Sequence, residues 1–456
     1  MVYFLWKGEN LVLDKYLIKN NRNTFQDQYP RMYPEEAEEV LHLSPEDSII
    51  TKNITFVVTE NCNLRCTYCY ECGKNQTKKM TKEVARKAVD TILDQKKLNK
   101  YIDFNKHKCV ILEFIGGEPL LEIDIIDYVV NYFRYKTTIM NHPWRDKYMI
   151  SMTSNGMLYD DPKVQRFIKK NMGRLSISIT IDGDKQLHDS CRLTIDGKGS
   201  YDTVEKSVKH AIKQIGMKDT KVTFAPGNIR FINRSIRHLF DLGLTNISAN
   251  CVFENVWKKE DSIIFYDQLI QLADYIIDNE IYKYGYVSIF DDKIGTPMSP
   301  ADDKNWCGGD GQMLAIGTDG RLFPCIRFMQ YSLSNPNTKE ICIGDLDTGV
   351  KDRKEIPMFD CLCSITRSSQ STKECLECPV ASGCAWCTGY NYDVFGTPNK
   401  RATFICPMHK ARVLACYYYY NRLADKEKDY TDRFELYLSE EDIDYITQGK
   451  GIKRWE

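Results

Sequence analysis

From about residue 53 to residue 295, short β-branched runs alternate with stretches whose apolar residues recur every three or four positions. That is the pattern of repeated strand–helix units around a parallel sheet. The predicted strands are Ile54–Val58, Val110–Phe114, Tyr148–Met152, Leu175–Ile181, Lys221–Phe224 and Asn246–Asn250. Thr81 is placed to cap a helix that buries Val84, Ala85, Ala88, Val89, Ile92 and Leu93, and Pro162 suits the first turn of another. Six units fall short of the eight that close a full barrel, so the pattern predicts an α/β fold built on a partial (β/α)6 TIM-like barrel. Ligands of such folds sit at the carboxyl ends of the strands.

The helical period fades near Asp291. From Pro297 to about Pro407 Gly and Pro rise and cysteines crowd into loops, a segment that needs a source of order other than an apolar core. From Lys410 the pattern is helical again, with Val413, Leu414, Tyr417, Tyr418 and Tyr420 packing. Ahead of the first strand, Phe4, Leu5, Leu11, Val12 and Leu13 suit a short strand pair and Pro34–Leu43 a helix begun by acidic residues. The expected division is 1–52, a cap or reduced peptide-recognition element; 53–296, the barrel; 297–409, the cysteine-rich domain; and 410–456, a C-terminal helical tail.

Composition narrows the function. A formal net charge of −1, with Lys and Arg dispersed, argues against a nucleic-acid partner. The opening MVYFLWKGEN has too short an apolar run for a signal peptide, and no stretch approaches the length of a membrane span. A cytoplasmic protein is expected, in which 18 cysteines read as metal ligands rather than disulfides.

Cys62, Cys66 and Cys69, in TENCNLRCTYCYEC, follow the first predicted strand at spacings of four and three. A four-iron cluster normally takes four cysteines, so three would leave one iron open to a ligand from outside. A zinc knuckle is the other reading, with Cys72 as the fourth ligand. CxxxCxxC with Tyr68 before its last cysteine resembles the signature of the radical S-adenosylmethionine (SAM) enzymes. Gly116-Gly117-Glu118-Pro119 after the second strand resembles that family's motif for the methionine amino group. Ser154 and Asn155 after the third strand, Ser178 on the fourth, and Arg192 in LHDSCR resemble its ribose and carboxylate contacts, while His188 reads as structural. The resemblance implies SAM bound to a [4Fe-4S] cluster and cleaved to a 5′-deoxyadenosyl radical. The protein itself would supply orientation and exclusion of solvent.

Cys307 is followed by twelve residues, Gly320, four residues and Cys325; then come Cys375-x2-Cys378-x5-Cys384-x2-Cys387 and Cys406. This resembles the SPASM extension of radical SAM peptide-modifying enzymes, which carries two auxiliary clusters, so three [4Fe-4S] clusters are implied. The two residues before Cys387 depart from the common three. Carried over, Cys375, Cys378, Cys384 and Cys406 hold the distal cluster, and Cys307, Cys325 and Cys387 the nearer one, which is completed by Cys342 or left open for a substrate thiolate. Zinc ribbons are the alternative. Cys361 and Cys363 stay unassigned, and Cys109, Cys191, Cys251 and Cys416 read as core cysteines.

The expected activity is maturation of a ribosomally made precursor peptide by a sulfur-to-carbon thioether crosslink of the sactipeptide or ranthipeptide type, fed by a low-potential donor such as flavodoxin or ferredoxin. Carbon–carbon or carbon–oxygen crosslinking by the same scaffold stays open. An anaerobic sulfatase maturase is the main alternative; there an aspartate base follows the cysteine of the Gly-x4-Cys element. Here that residue is Ile326, which cannot accept a proton, leaving Asp310 or Asp319 as substitutes. A non-catalytic Fe–S carrier or zinc scaffold is the third reading.

Overall fold

The computed structural model describes residues 51–71, 77–99, 101–305, 307–427 and 433–455. The elements expected before Ile50, and Cys72, lie outside the described residues. All six predicted strands form, as β1 (Thr51–Thr59), β3 (Cys109–Gly116), β4 (Tyr148–Ser154), β5 (Leu175–Ile179), β7 (Asp219–Phe224) and β8 (Asn246–Cys251). Each leads into a helix: α1 (Lys82–Ile92), α2 (Ile123–Ile139), α3 (Pro162–Asn171), then α4 (Lys185–Cys191) and α5 (Tyr201–Ile215) together after β5, α6 (Ile232–Asp241) and α7 (Asp261–Asp278).

The local signals act as the sequence implies. The Thr81 hydroxyl accepts the Val84 N–H at 3.2 Å, and α1 buries Ala85, Ala88, Val89 and Ile92 on one face. Pro162 opens α3 behind Asp161, whose carboxylate accepts the Lys163 N–H at 2.8 Å.

Strands β1, β3, β4 and β5 are parallel neighbours in that order. A separate parallel sheet holds β7, β8 and β9 (Tyr286–Val287). Side chains rather than a backbone ladder bridge the seam between β5 and β7: Ser178 Oγ donates to the Asp219 carbonyl at 3.3 Å and Thr220 Oγ1 to that of Ile179 at 2.9 Å. The barrel is therefore open and also splayed.

The cysteine-rich segment is more ordered than its composition suggests. Strand β10 (Met313–Ile316) pairs in parallel with β1 on the side away from β3, and β11 (Arg321–Phe323), β12 (Gly344–Asp345) and β13 (Gly349–Val350) continue the same sheet as an antiparallel meander. Helices α8 (Pro357–Ser364) and α9 (Thr388–Phe395) follow, then α10 (Cys406–Lys426), which starts at the last cysteine of the framework. It lies along α7, with Tyr418 Oη on Asp274 at 2.6 Å and Arg422 Nη2 on Asp278 at 2.8 Å. Val413, Leu414 and Tyr417 are buried along it. Among the described residues no helix is long and apolar enough to cross a membrane.

Candidate active site

The Cys62 loop begins where β1 ends, and its backbone is fixed from both sides. Strand β2 (Leu64–Cys66) pairs antiparallel with β6 (Arg192–Thr194), setting Cys66 opposite Arg192. On the other side the Gly117 N–H donates to the Thr59 carbonyl at 3.1 Å and the Glu118 N–H to that of Asn61 at 2.9 Å. A Cβ on Gly117 would stand 2.3 Å from Asn61 O and 2.9 Å from Cys62 Cβ. The paired glycines thus let the chain's own cysteine loop cross β3 at backbone contact. Asn155 Nδ2 completes the support, donating to Asn63 Oδ1 at 2.7 Å and lying 3.8 Å from Cys62 Sγ.

Glu118 is buried, and burial raises its carboxyl above the usual range. Oε1 accepts the Leu120 N–H at 3.1 Å and the Ser154 hydroxyl at 2.8 Å; Oε2 accepts the Asn155 N–H at 2.8 Å. A carboxylate offers about four acceptor positions, so Oε2 keeps one for a cationic amine. Ser154 Oγ also accepts the Gly156 N–H at 3.0 Å, so its role is to hold Glu118.

Across the loop, Arg192 Nη1 donates to Tyr68 Oη at 2.7 Å, and Tyr68 Oη donates to Asp182 Oδ2. Asp182 is fully buried at the end of β5, and burial lifts its carboxyl and the Tyr68 hydroxyl above their ordinary ranges. His188 fixes this corner: its Nδ1 accepts the Asp182 N–H at 3.3 Å, and its Nε2 lies 3.0 Å from Ser200 Oγ, which donates to the Arg192 carbonyl at 2.7 Å. Asp182 Oδ1 and Arg192 Nε are buried without a partner, an acceptor and a donor left for a bound molecule. The spare acceptor on Glu118, these two orphans and the Cys62 loop fit a SAM-sized zwitterion on a cluster.

The cysteines of the second framework gather in two groups. Cys406 lies within electrostatic reach of Cys375, Cys378 and Cys384, and burial first, then those neighbours, pushes its thiol up to about 11. Cys325 lies within reach of Cys307 and Cys387; burial pushes the Cys325 and Cys307 thiols up to about 12. Cys62 is likewise pushed by burial to about 12. Such thiols ionise when a cation arrives to replace the proton. Among the described residues no three His, Cys, Asp or Glu side chains converge as a single metal ion requires, and none of the described cysteines is in a disulfide.

Cys342 Sγ donates to the Gly344 carbonyl at 3.2 Å and is half-buried against the core between the buried Ile341 and Ile343. Cys363 Sγ approaches the Asp310 carbonyl at 3.6 Å, beside the Cys307 turn. Cys191, Cys251 and Cys416 are buried; Cys109 is only half-buried, because it opens β3.

The two substitute bases differ in place. Asp319 is tied to Arg321 at 2.7 Å on the surface. Asp310 precedes β10 at the amino-terminal side of Asn53, about 20 Å down β1 from the Cys62 loop at strand rise. Carboxylates that sequence reasoning missed are closer: Glu60 and Glu71 are buried on either side of Cys62–Cys69, and Glu60 accepts the Thr318 hydroxyl at 3.2 Å. A cavity of about 310 Å³ opens beside Glu60, lined also by Lys78, Thr318, Arg321, Tyr331 and Glu340. The Tyr331 hydroxyl is buried and unbonded, within electrostatic reach of both Cys69 and Cys325.

Residues 56–241 match the family model described as Radical SAM superfamily. The chain is 23% identical over 403 residues to the radical SAM cyclopropyl synthase TigE of Paramaledivibacter caminithermalis, covering 83% of this chain and 75% of that one. Its fold is similar to that of native anSMEcpe with bound AdoMet, at a TM-score of 0.59 and 16% identity over 83% of this chain and 99% of the other. It is also similar to Streptococcus suis SuiB bound to the precursor peptide SuiA, at a TM-score of 0.50 and 14% identity over 85% and 87%.

Proposed function

We propose that this chain, whose residues 56–241 carry a radical SAM domain, matures a precursor peptide by joining a cysteine sulfur to a carbon as a thioether. The observation that supports the reading is that Cys307, Cys325 and Cys387 lie within electrostatic reach of one another, with Cys342 turned to the Gly344 carbonyl. A four-iron cluster on three thiolates keeps an iron for a soft ligand such as a substrate thiolate. The similarity to SuiB, solved with a precursor peptide, supports a peptide as the substrate class.

In this reading Cys62, Cys66 and Cys69 hold the first cluster. Glu118 takes the amino group of SAM, while Arg192 and Asn155 hold its polar groups beside Tyr68. SAM held there, with a low-potential electron donor, would supply the one-electron chemistry needed at an unactivated carbon. The chain's own residues hold that geometry: Gly117 brings the loop against β3, and Ser154 and Asn155 fix Glu118. Cys375, Cys378, Cys384 and Cys406 hold a second auxiliary cluster.

Iron, sulfide and zinc per chain after anaerobic reconstitution test the framework. About twelve irons are expected, falling to about eight when Cys62, Cys66 and Cys69 are all alanine; zinc alone would overturn it. With cysteine-containing peptides, SAM and reductant, the product is expected to lose two hydrogens and its alkylatable thiol. Loss of two hydrogens with the thiol intact would mean a carbon–carbon or carbon–oxygen bond, and loss of sulfur would mean formylglycine. An unchanged peptide mass during SAM cleavage would count against the maturase reading.

A further inference from the structure

Lys52 is fully buried as the second residue of β1. Lysine is almost never so buried without a paired charge. Its Nζ donates to the carbonyls of Tyr101, at 3.1 Å, and Gly311, and stands 4.0 Å from the centre of the Tyr101 ring. These partners carry no full charge. Among the described residues no carboxylate closes to ion-pair distance; burial pushes the Lys52 amine down to about 7, with Asp310 within electrostatic reach drawing it back up, and an anionic neighbour is what would hold its proton at neutral pH.

The groups that hold the ammonium also support the Cys307 turn. Gly311 ends the turn in which Asp310 N–H donates to the Cys307 carbonyl at 3.1 Å and Gln312 N–H to that of Gly308 at 3.0 Å. Tyr101 Oη donates to the Met313 carbonyl, at the head of β10. The same hydroxyl lies within electrostatic reach of Cys363 and Asp310 first, then of Cys325 and Cys307. Continuing the Ala315–Phe323 pairing of β10 and β11 places Cys325 level with Met313. The amine therefore lies over the face of the ring whose hydroxyl is within electrostatic reach of these thiols, in an interior that screens charge weakly.

We propose that Lys52 is the counter-charge of the iron–sulfur cluster that Cys307, Cys325 and Cys387 would hold, and that it sets that cluster's reduction potential. The inference rests on the auxiliary-cluster reading above. A thiolate-ligated cluster is an anion that gains a further negative charge on reduction, and its potential follows net local charge and burial. A buried cation favours the reduced form and makes the cluster a better acceptor for an electron leaving the peptide. Lys52 is a positioning residue of the electron's exit and touches no substrate.

The test is an anaerobic redox titration of the reconstituted full chain, followed by electron paramagnetic resonance, on wild type, Lys52→Arg, Lys52→Gln and Lys52→Met. Cys307→Ser identifies the signal of the nearer cluster. Lys52→Gln and Lys52→Met are expected to keep their iron and move that one midpoint to lower potential, with Lys52→Arg close to wild type. Asp310→Asn, nearly unchanged in shape, removes the opposing charge and is expected to move the same midpoint upward. It carries the test if the neutral Lys52 variants do not fold. Full iron with unmoved midpoints in the neutral variants, or in Asp310→Asn where only that folds, would overturn the inference alone. A Cys307→Ser protein that keeps every cluster would overturn the cluster reading with it.

Discussion

The Arg327 guanidinium stands 4.8 Å from the centre of the Tyr70 ring, joining the residue after Cys69 to the turn after Cys325. Arg327 is buried, and a Cβ on Gly389 at the start of α9 would lie 2.5 Å from its own Cβ. One side chain thus sits where the first cysteine loop, the Cys325 turn and the helix after Cys387 meet. A maturase that passes an electron from the radical site to an auxiliary cluster needs those three parts in fixed relation.

Replacing Arg327 by Met keeps most of the apolar stem and removes the cation–π contact. A loss of about 1–2 kcal/mol is expected, read by denaturant unfolding of the reconstituted protein. Gly389→Ala should cost about as much by a different route, since backbone and Cβ must shift to admit the methyl. If the two losses add fully in the double variant, the sites are independent and the junction is not a unit.

The glycines at the end of β3 give a sharper prediction. Gly117→Ala places a methyl against Asn61 O and Cys62 Cβ, so the Cys62 loop must lift away. The protein is expected to fold, keep the auxiliary clusters and lose about four irons per chain, with SAM cleavage abolished. Full iron and wild-type SAM cleavage in Gly117→Ala would show that the crossing has slack.

The barrel was legible because its six strands are β-branched runs of normal length, each followed by a helical period. Strand β10 was not, since Met313–Ile316 is four residues among glycines and acquires its identity only by pairing with β1. Strands β2 and β6, at three residues each, carry no period at all. At the site, the family resemblance rather than spacing alone implied which cysteines to group. It could not show that Ser154 serves Glu118, that Tyr68 joins Arg192 to Asp182, or that Lys52 is buried. Those relations join residues tens to hundreds of positions apart, and a lysine in a strand reads as an exposed edge until the partner strand covers it.

Glu118→Gln separates the two jobs of that carboxyl. The amide keeps one oxygen but turns the other position into a donor facing the N–H of Asn155 or Leu120. One unsatisfied buried contact costs about 1–3 kcal/mol, and the charge that would meet the amine is gone. SAM affinity, measured anaerobically by equilibrium dialysis, is expected to fall at least about tenfold, while iron content stays at the wild-type value. An unchanged affinity would remove Glu118 from the SAM contacts.

His188 should make the fold acid-sensitive. Burial pushes its imidazole from its ordinary value down to about 2, and the ring is already committed, with Nδ1 accepting from Asp182 N–H. A proton on Nδ1 would set two donors against each other. In the unfolded chain the ring takes that proton as pH falls through about 6.5, while the folded protein refuses it. Stability from this group is therefore complete above about pH 6.5 and falls progressively on acidification toward the folded value. Between pH 6.5 and 5 the loss comes to about 2 kcal/mol, from 1.36 kcal/mol per pH unit. His188→Asn, whose amide oxygen can still accept from Asp182 N–H, should be less stable at neutral pH but lose about 2 kcal/mol less than wild type over that interval. Parallel stability curves for the two proteins would place the acid sensitivity elsewhere.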